Sequence, residues 1–558
     1  MLNEHLNEHN YITCSKCGHD RNPATLKKCE ICGHKLVQKN PSPGSKSKNR
    51  VILPLALAIT AGLGIGGFWL LSKKSFNFIP NVQNNINKTD QLTLLGDTFS
   101  GYSTFRSKEF QSSKESEVNL HYEDEFDQAK RSDLLNQGKA NLLVTTLDQF
   151  LKQKPQGKIV GLIDRTVGAD AVVLNTKKYS NLKSLLDLNV LIQQVRSQGK
   201  QLSITFAGDT PSEYLALMLS TKFDQFKLSD FQVNKVADAS VAWKLLQDPN
   251  QNVAVAVLWE PYITKARQQG YTVVLSSKDV PGAIVDVIVA SNQLIQSQPE
   301  KISEFLAAYY RSIDSNLRDT SHFQNQIAED GKLSPSDANF VLQGIDFFPA
   351  LEAKDWLTNG TLEKRIGSTA AVLTLAGKLN QVPENPKDLF TSQFITKAAS
   401  NSQNLIDLVR ADNPELADRL TGKGKVLASN NKLNTNQIKA APNIGNLQVR
   451  GDVKFGISSA QLEDEGKQTL NQLAQEILEF NRQTVAVRVI GHTSQIGSAD
   501  FNQKLSQQRA QVVGNYLRLQ NIKHNIVVEG QGFSQLLPGI SPNDPRNQRT
   551  EIRLVRIN

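Results

Sequence analysis

The sequence predicts a multidomain protein with a small cysteine-rich module, one transmembrane helix, a large α/β domain and a C-terminal α+β domain. Three observations predict this architecture. The 558 residues exceed what one core accommodates, all four cysteines lie within the first 32 residues, and an uncharged run follows at Val51–Ser72. Beyond residue 91, β-branched runs alternate with helical patterns, which is typical of α/β sheets.

The composition is that of an ordinary folded protein, with 39% hydrophobic and 21% charged residues. A formal net charge of +9 is mildly basic for this length and permits contact with anionic polymers or lipid headgroups. Arginines do not form a stripe interleaved with aromatic residues, so we expect no nucleic-acid partner.

The cysteines form two C-x2-C pairs, each followed by a glycine, Gly18 or Gly33. This spacing is typical of a tetrahedral zinc site, and about residues 11 to 37 resemble the small zinc ribbons. Four thiolates leave no open coordination position, so the zinc would be structural. A pair of disulfides or redox motifs is the alternative, and a cytoplasmic protein is a possible partner of the ribbon. The expected metal ligands are Cys14, Cys17, Cys29 and Cys32.

The run Val51–Ser72 is long enough to cross a bilayer as one helix, and Trp69 lies near its end, where the membrane interface favours tryptophan. Seven lysines and arginines at 27–50 precede it and three at 73–88 follow, which predicts a cytoplasmic N-terminus. We therefore expect a single-pass protein of a bacterial inner membrane with periplasmic C-terminal domains. A cleaved signal peptide is the alternative, although the run starts late and no A-x-A-like site follows it.

Polar stretches rich in Pro, Ser, Asn and Lys mark the expected linkers. The predicted boundaries are 1–37 for the ribbon, 38–50 for a linker, 51–72 for the transmembrane helix, 73–90 for a linker, 91–400 for the α/β domain, 401–447 for a linker and 448–558 for the C-terminal domain.

Several stretches of the α/β region occur in a recognisable order. "TFAGDTPSEYLALMLS" predicts a strand, a turn and a helix whose first turn contains Pro211. "VADASVAWKLLQD", "VAVAVLWEPYITKARQQGY", "GLIDRTVGADAVVLN" and "GDTFSGYSTFR" complete the set. Together they resemble type II periplasmic solute-binding proteins of the nitrate, sulfonate and taurine or phosphate type. The resemblance implies two lobes that close over a small-molecule solute.

Ligand residues in such a fold lie where strand ends of both lobes meet. Turn and cap residues without a ligand are the alternative, because turns use the same residue types. Asp209 beside a helix N-terminus favours a cationic or mixed ligand over a simple oxyanion. The resemblance implies as ligand-binding residues Thr98, Phe99, Ser100, Gly101, Tyr102, Thr145, Thr146, Asp164, Asp170, Asp209, Thr210, Ser212, Trp259 and Glu260.

The C-terminal region contains "GHTSQIGSADFNQKLSQQRAQVVGNYLRLQNI" and a late "NQRTEIRLVRI". It resembles the OmpA C-terminal domain, a βαβαβ-type module that binds peptidoglycan. There an arginine and an acid hold the zwitterionic end of a diaminopimelate side chain. Arg509 matches the arginine, Ser494 replaces the acid, and Gln548 replaces a further arginine. The alternative is that Arg509 only pairs on the surface. The implied wall-binding residues are Ser494, Asn502, Leu505, Ser506, Arg509, Asn547 and Arg549.

The leading hypothesis is a membrane-anchored periplasmic ligand-binding protein held to peptidoglycan, associated with an ABC transporter or acting as a sensor. The alternative is a structural membrane-to-wall linker without a small-molecule ligand. We expect no enzyme activity, because no Ser-His-Asp, Cys-His or paired-carboxylate arrangement is recognisable.

Overall fold

A computed structural model describes residues 11–12, 22–23, 27, 91–112, 119–422, 433–450, 453–456 and 458–557. The chain divides between residues 85 and 86 into two units, each described by itself. In the first unit, Tyr11–Ile12 pairs antiparallel with Asn22–Pro23. The four cysteines and the predicted transmembrane segment lie outside the described residues. Within the described ranges, no helix has the length and apolarity needed to cross a bilayer, and no His/Cys/Asp/Glu group could hold a metal ion.

The first two described strands belong to the first unit, and the others lie in the second unit, most of them separated by helices. In chain order the strands are β1 Tyr11–Ile12, β2 Asn22–Pro23, β3 Gln91–Gly96, β4 Asn119–Asp124, β5 Leu142–Thr146, β6 Gly157–Thr166, β7 Asp170–Leu174, β8 Leu202–Ala207, β9 Phe231–Val236, β10 Val253–Trp259, β11 Thr272–Ser276, β12 Val285–Ser291, β13 Ile345–Phe347, β14 Asn443–Asn446, β15 Val485–Gly491, β16 Ile526–Gly530 and β17 Thr550–Arg556.

The helices begin at capping residues or prolines in many cases, as Pro211 illustrates at the first turn of its helix. They are α1 Ser103–Arg106, α2 Lys108–Ser112, α3 Gln128–Asn136, α4 Leu147–Gln153, α5 Leu185–Ser197, α6 Pro211–Lys222, α7 Ala239–Gln247, α8 Tyr262–Gln268, α9 Asn292–Ser297, α10 Pro299–Arg318, α11 Thr320–Gly331, α12 Pro335–Gly344, α13 Ala350–Thr358, α14 Thr361–Leu375, α15 Thr396–Val409, α16 Pro414–Leu420, α17 Thr435–Ala440, α18 Asp464–Leu478 and α19 Ala499–Leu519.

Two separate sheets form two lobes. The sheet of lobe 1 has the order β13-β6-β12-β5-β3-β4, and the sheet of lobe 2 has the order β11-β7-β10-β8-β9. The central strands β5, β7 and β12 are buried along their whole length, because helices cover both faces of each sheet. The chain passes between the lobes twice, from β6 to β7 and from β11 to β12. The predicted two-lobed α/β fold is therefore observed.

The C-terminal domain is a four-stranded sheet with the order β14-β17-β15-β16, covered by α18 and α19. Only β15 and β16 run parallel among these strands, because the α19 crossover returns the chain to the end of the sheet at which β15 begins. Ser498 caps α19 by accepting a hydrogen bond from the Phe501 amide at 3.2 Å.

The segment 401–447, predicted as a linker, contains most of α15, all of α16 and α17, and β14. Helix α15 packs against α10 and α13 of the solute-binding-like domain, and β14 belongs to the C-terminal sheet. The two domains therefore extend into this segment from both sides. The reason is that its apolar residues, such as Ile406 and Ile444, are fully buried despite the polar composition around them.

Candidate functional site

The first predicted ligand loop follows β3 directly and folds into a single 3-10 turn, Ser100–Tyr102. The Asp97 carboxylate accepts a hydrogen bond from the Phe99 amide at 2.9 Å, which closes the loop. The edge of one aromatic ring meets the face of the other in the Phe99–Tyr102 pair, with centroids 5.2 Å apart. Thr98 is exposed, Phe99 and Ser100 are half-buried, and Gly101 and Tyr102 are buried.

This loop covers two buried carboxylates of the lobe 1 sheet. A Cβ atom at Gly101 would lie 2.3 Å from Asp164 Oδ2, so only glycine permits the backbone to pass this carboxylate so closely. The Tyr102 hydroxyl donates a hydrogen bond to Asp286 Oδ1. Asp164 in β6 and Asp286 in β12 are paired across the sheet, which brings both carboxylates beneath the loop.

Four aspartates at or near the ends of β5, β6, β7 and β12 are almost completely buried. They are Asp148, Asp164, Asp170 and Asp286, with exposed fractions of 4%, 0%, 4% and 1%. Burial raises the pKa of Asp148 to about 6 and the pKa of Asp170 to about 7. Burial also raises the pKa of Asp286 well above its usual range, and the charges of Asp97, Asp148 and Asp170 add to this effect. These groups repel one another, so the region favours protonation or a cationic ligand.

Asp148 and Asp286 were not among the residues predicted from the sequence. Asp286 interrupts the apolar run "IVDVIVA" of β12, and a single charge inside a buried strand is the signal that could have revealed it. Asp148 lies two residues beyond the end of β5, in the first turn of α4.

In lobe 2, the start of α6 faces Asp170. The Ser212 hydroxyl is completely buried and lies 3.5 Å from Asp170 Oδ1. The Thr210 hydroxyl donates to the Ala207 carbonyl at 2.9 Å, so this side chain braces its own turn. Asp209 has a left-handed backbone with φ of 55° and is exposed. It therefore belongs to the rim of the cleft.

The Asp209 carboxylate forms an ion pair with Lys152 of α4, which belongs to lobe 1. A hydrogen bond from Lys152 lowers the pKa of Asp209. This pair therefore joins the two lobes across the rim, and the carboxylate of Asp209 already has a cationic partner within the protein.

The other predicted residues have structural partners. The Glu260 carboxylate accepts from the amide and hydroxyl of Thr264, both at 3.0 Å, and so caps α8. Trp259 pairs with Asp170 between β10 and β7. The Thr145 hydroxyl donates to Gln128 Oε1 at 2.9 Å, and Thr146 is the last residue before α4. These residues lie at or beside strand ends, and their role in binding a ligand stays a prediction.

The C-terminal site is built around Arg509 on α19, which is only 7% exposed. Its Nε donates to the Ser459 carbonyl at 2.9 Å, and another nitrogen donates to Gln548 Oε1 at 3.1 Å. The guanidinium also lies 5.1 Å from the centre of the Phe455 ring. These described partners are all neutral, and burial lowers the pKa of Arg509.

Ser494 and Gln548, which replace the acid and an arginine of the OmpA pattern, lie next to each other. Gln548 Nε2 is 3.5 Å from the Ser494 hydroxyl, so a neutral pair stands where the OmpA pattern has an acid and an arginine. Arg509 is therefore the charged group of this cluster. The site is better suited to a carboxylate than to a complete zwitterion.

The remaining predicted wall-binding residues hold loops around Arg509. Asn502 Nδ2 donates to the Ile496 carbonyl at 2.9 Å, and the Ser506 hydroxyl accepts from the Gly532 amide at 2.9 Å. Asn547 is completely buried and accepts from the Leu537 amide at 2.8 Å. Leu505 is buried beside them. Arg549 forms an ion pair of 2.7 Å with Glu551.

Comparison with known families agrees with this division of the chain. Residues 454–550 match the OmpA family, and residues 113–319 match the family described as NMT1/THI5 like. These matches confirm an OmpA domain at the C-terminus and a periplasmic solute-binding-like domain before it. They do not cover the predicted zinc ribbon or transmembrane helix.

Individual relatives match one domain at a time. Outer membrane protein A of Shimwellia blattae is 40% identical over 92 residues, which are 16% of this chain and 38% of the relative. Outer membrane protein A of Bordetella avium is 34% identical over 120 residues, which are 21% of this chain and 61% of the relative. The chain thus spans less than two thirds of either relative.

Two solved structures are each similar to one domain of the chain. The periplasmic aliphatic sulphonate binding protein SsuA from Escherichia coli is 16% identical with a TM-score of 0.43, over 55% of this chain and 92% of SsuA. The OmpA-like domain of FopA1 from Francisella tularensis is 28% identical with a TM-score of 0.17, over 21% of this chain and 82% of that domain.

Proposed function

We propose that this protein is a membrane-anchored periplasmic binding protein that attaches to peptidoglycan through its OmpA-like domain. The observation that carries the proposal is the buried Arg509 cluster on the same folded unit as a two-lobed domain. The uncharged run Val51–Ser72 supplies the anchor, and the four N-terminal cysteines hold a structural zinc in the cytoplasm, where a protein partner can dock.

The role of Arg509 is to bind a carboxylate of the wall peptide. The guanidinium is held in place by Ser459 and Gln548, so little freedom is lost when a carboxylate binds. Because Ser494 replaces the acid, an ammonium group of the same peptide gains only a hydroxyl partner.

A peptidoglycan pull-down tests this role. Isolated sacculi are incubated with the full chain, with Arg509→Gln and with the control Arg518→Gln, which changes an exposed arginine on the same helix. We expect Arg509→Gln to reduce retention at least tenfold and the control to retain binding. Circular dichroism confirms that each variant is folded. Equal retention of all three proteins by sacculi contradicts the proposal.

The cleft between the lobes binds a small solute in this proposal. The buried carboxylates Asp164, Asp170 and Asp286 favour a ligand with a cationic or hydrogen-bond-donating group. A sensor and a component of an ABC transporter are both compatible with a tethered receptor of this kind.

A thermal-shift screen of the full chain against a metabolite library separates this proposal from a structural linker. We expect amines and amidines to raise the melting temperature, and Asp286→Asn to abolish the shift. If no compound shifts the melting temperature, the linker function is favoured. Tags at the two termini test the membrane topology, because both tags in one compartment would contradict the proposed anchor.

A further inference from the structure

The chain crosses between the lobes at two neighbouring segments, residues 167–169 and 277–284. The segments are hydrogen-bonded to each other: the Ser277 amide donates to the Asp170 carbonyl at 2.8 Å, and the Gly168 amide donates to the Ser277 hydroxyl at 2.8 Å. Any closure of one lobe on the other must bend these segments, because they are the backbone connections between the two sheets in the described chain.

The OmpA-like domain holds the second crossing directly. Arg556 at the end of β17 donates to Asp279 Oδ2 at 2.9 Å, and its other amino group donates to the Val273 carbonyl. Asn481 uses its amide to donate to the Asp279 carbonyl at 2.8 Å and its side chain to donate to the Lys278 carbonyl at 3.1 Å. The Asp279 side chain is only 3% exposed. The crossing is therefore held through both its backbone and its side chain.

A second contact joins the same domain to helices on both sides of the cleft. Glu479, just after α18, forms an ion pair of 3.2 Å with the buried Lys222 of α6 and accepts a hydrogen bond from Ser368 of α14 at 2.5 Å. Helix α14 packs against α4 of lobe 1 and α6 of lobe 2. Phe480 packs edge-on against Phe223 at 6.1 Å.

Helix α18 connects these contacts to the wall-binding cluster. Its N-terminal end begins five residues after Ser459, whose carbonyl accepts the Arg509 hydrogen bond, and its C-terminal end precedes Glu479 and Asn481. A rigid helix of this kind moves both ends together.

We propose that the OmpA-like domain clasps the lobe crossing at Lys278–Asp279, so that solute binding and wall attachment are thermodynamically linked. The inference rests on the function proposed above. Closure moves Asp279 relative to Arg556 and Asn481, so the domain prefers one lobe arrangement over the other. By reciprocity, the factor by which a bound wall ligand changes the affinity for the solute equals the factor by which the bound solute changes the affinity for the wall ligand.

Hydrogen exchange of the full chain in nanodiscs tests the link, with soluble peptidoglycan fragments from digested sacculi as the probe. We expect the fragments to slow exchange of residues 277–284 at least threefold in the natural chain. The double variant Arg556→Gln with Asn481→Ala should lose this response while still being retained by sacculi. The control Arg546→Gln changes an exposed ion pair of the same domain and should keep the response.

The outcomes are distinguishable. Retention by sacculi without any change of exchange at 277–284 overturns the link and leaves the proposed function intact. An unchanged response in the double variant also overturns the link, because the clasp would then not transmit it. Failure of the natural chain to bind sacculi overturns both proposals.

Discussion

The two-lobed domain and the OmpA-like domain of this protein treat buried carboxylates in opposite ways. In the cleft, Asp170 and Asp286 lie among other carboxylates, and burial raises the pKa of each. In the OmpA-like domain, burial would also raise the pKa of Glu551, but His492 and Arg549 outweigh it and hold this pKa well below its usual range. Arg553 adds a further ion pair of 2.8 Å. The comparison shows that burial alone does not decide a carboxylate's charge; its neighbours do.

We expect the largest loss of stability when Glu551, the carboxylate that is paired with arginines, is removed. We expect Glu551→Ala to destabilise the OmpA-like sheet by about 3 kcal/mol, because two arginines then remain partly buried without their partner. Hydrogen exchange of the β17 amides measures the local stability. Glu465→Ala, which removes an exposed carboxylate paired with Lys454, is the control and should change stability by less than about 1 kcal/mol.

In the cleft, replacing a buried aspartate by a neutral residue should stabilise the protein instead of destabilising it. Native Asp170 holds its proton up to about pH 7, whereas an unfolded aspartate releases it near pH 4, so stability is fully present below about pH 4 and is lost as the pH rises through 7. Asp170→Asn avoids this loss, and we expect it to be about 2 to 4 kcal/mol more stable than the natural chain at pH 8, because three pKa units correspond to at most about 4 kcal/mol, and equally stable at pH 4.

Urea denaturation at the two pH values measures the effect, with the exposed Asp133→Asn as control. If Asp170→Asn destabilises the chain at pH 8 as much as at pH 4, Asp170 is ionised in the native cleft and the comparison fails.

Restoring the charged residues of the OmpA pattern tests whether the neutral pair at the wall site weakens peptidoglycan binding. Ser494→Asp together with Gln548→Arg replaces the neutral pair by an acid and an arginine beside Arg509. We expect about tenfold tighter binding to peptidoglycan that contains diaminopimelate, which corresponds to about 1.4 kcal/mol. Sacculus binding at increasing protein concentration measures this change. Gln548→Arg alone lacks the ammonium partner, so an equal gain with that variant would contradict the explanation.

The smallest effect is expected at the rim of the cleft. The Lys152–Asp209 pair joins the lobes, but the Asp209 side chain is 58% exposed. Lys152→Ala should therefore lower stability by less than about 1 kcal/mol, similar to the exposed control Lys139→Ala. Thermal unfolding measures both. A loss of several kcal/mol would show that the rim pair holds the lobes together more strongly than its exposure indicates.

The sequence predicted which residues form local motifs better than it predicted which residues surround them in the folded protein. The turn at Asp209–Pro211 and the arginine on α19 were both visible as patterns. Asp286 was not predicted: the charge inside the apolar run is visible in the sequence, but its hydrogen-bond partner Tyr102 is 184 positions away. Asp209 was expected to face the ligand, and the structure places it at the rim beside Lys152, since only the packed lobes bring α4 to that turn.

The sequence by itself determined the order of the two-lobed and OmpA-like domains, the uncharged run at Val51–Ser72 and the neutral replacement at Ser494, because composition and spacing are local properties. The tertiary structure alone decided that aspartates from separate strands share one buried region and that Arg556 holds Asp279. Those residues are 277 positions apart, and a contact over that distance depends on how whole domains pack, which no local pattern records.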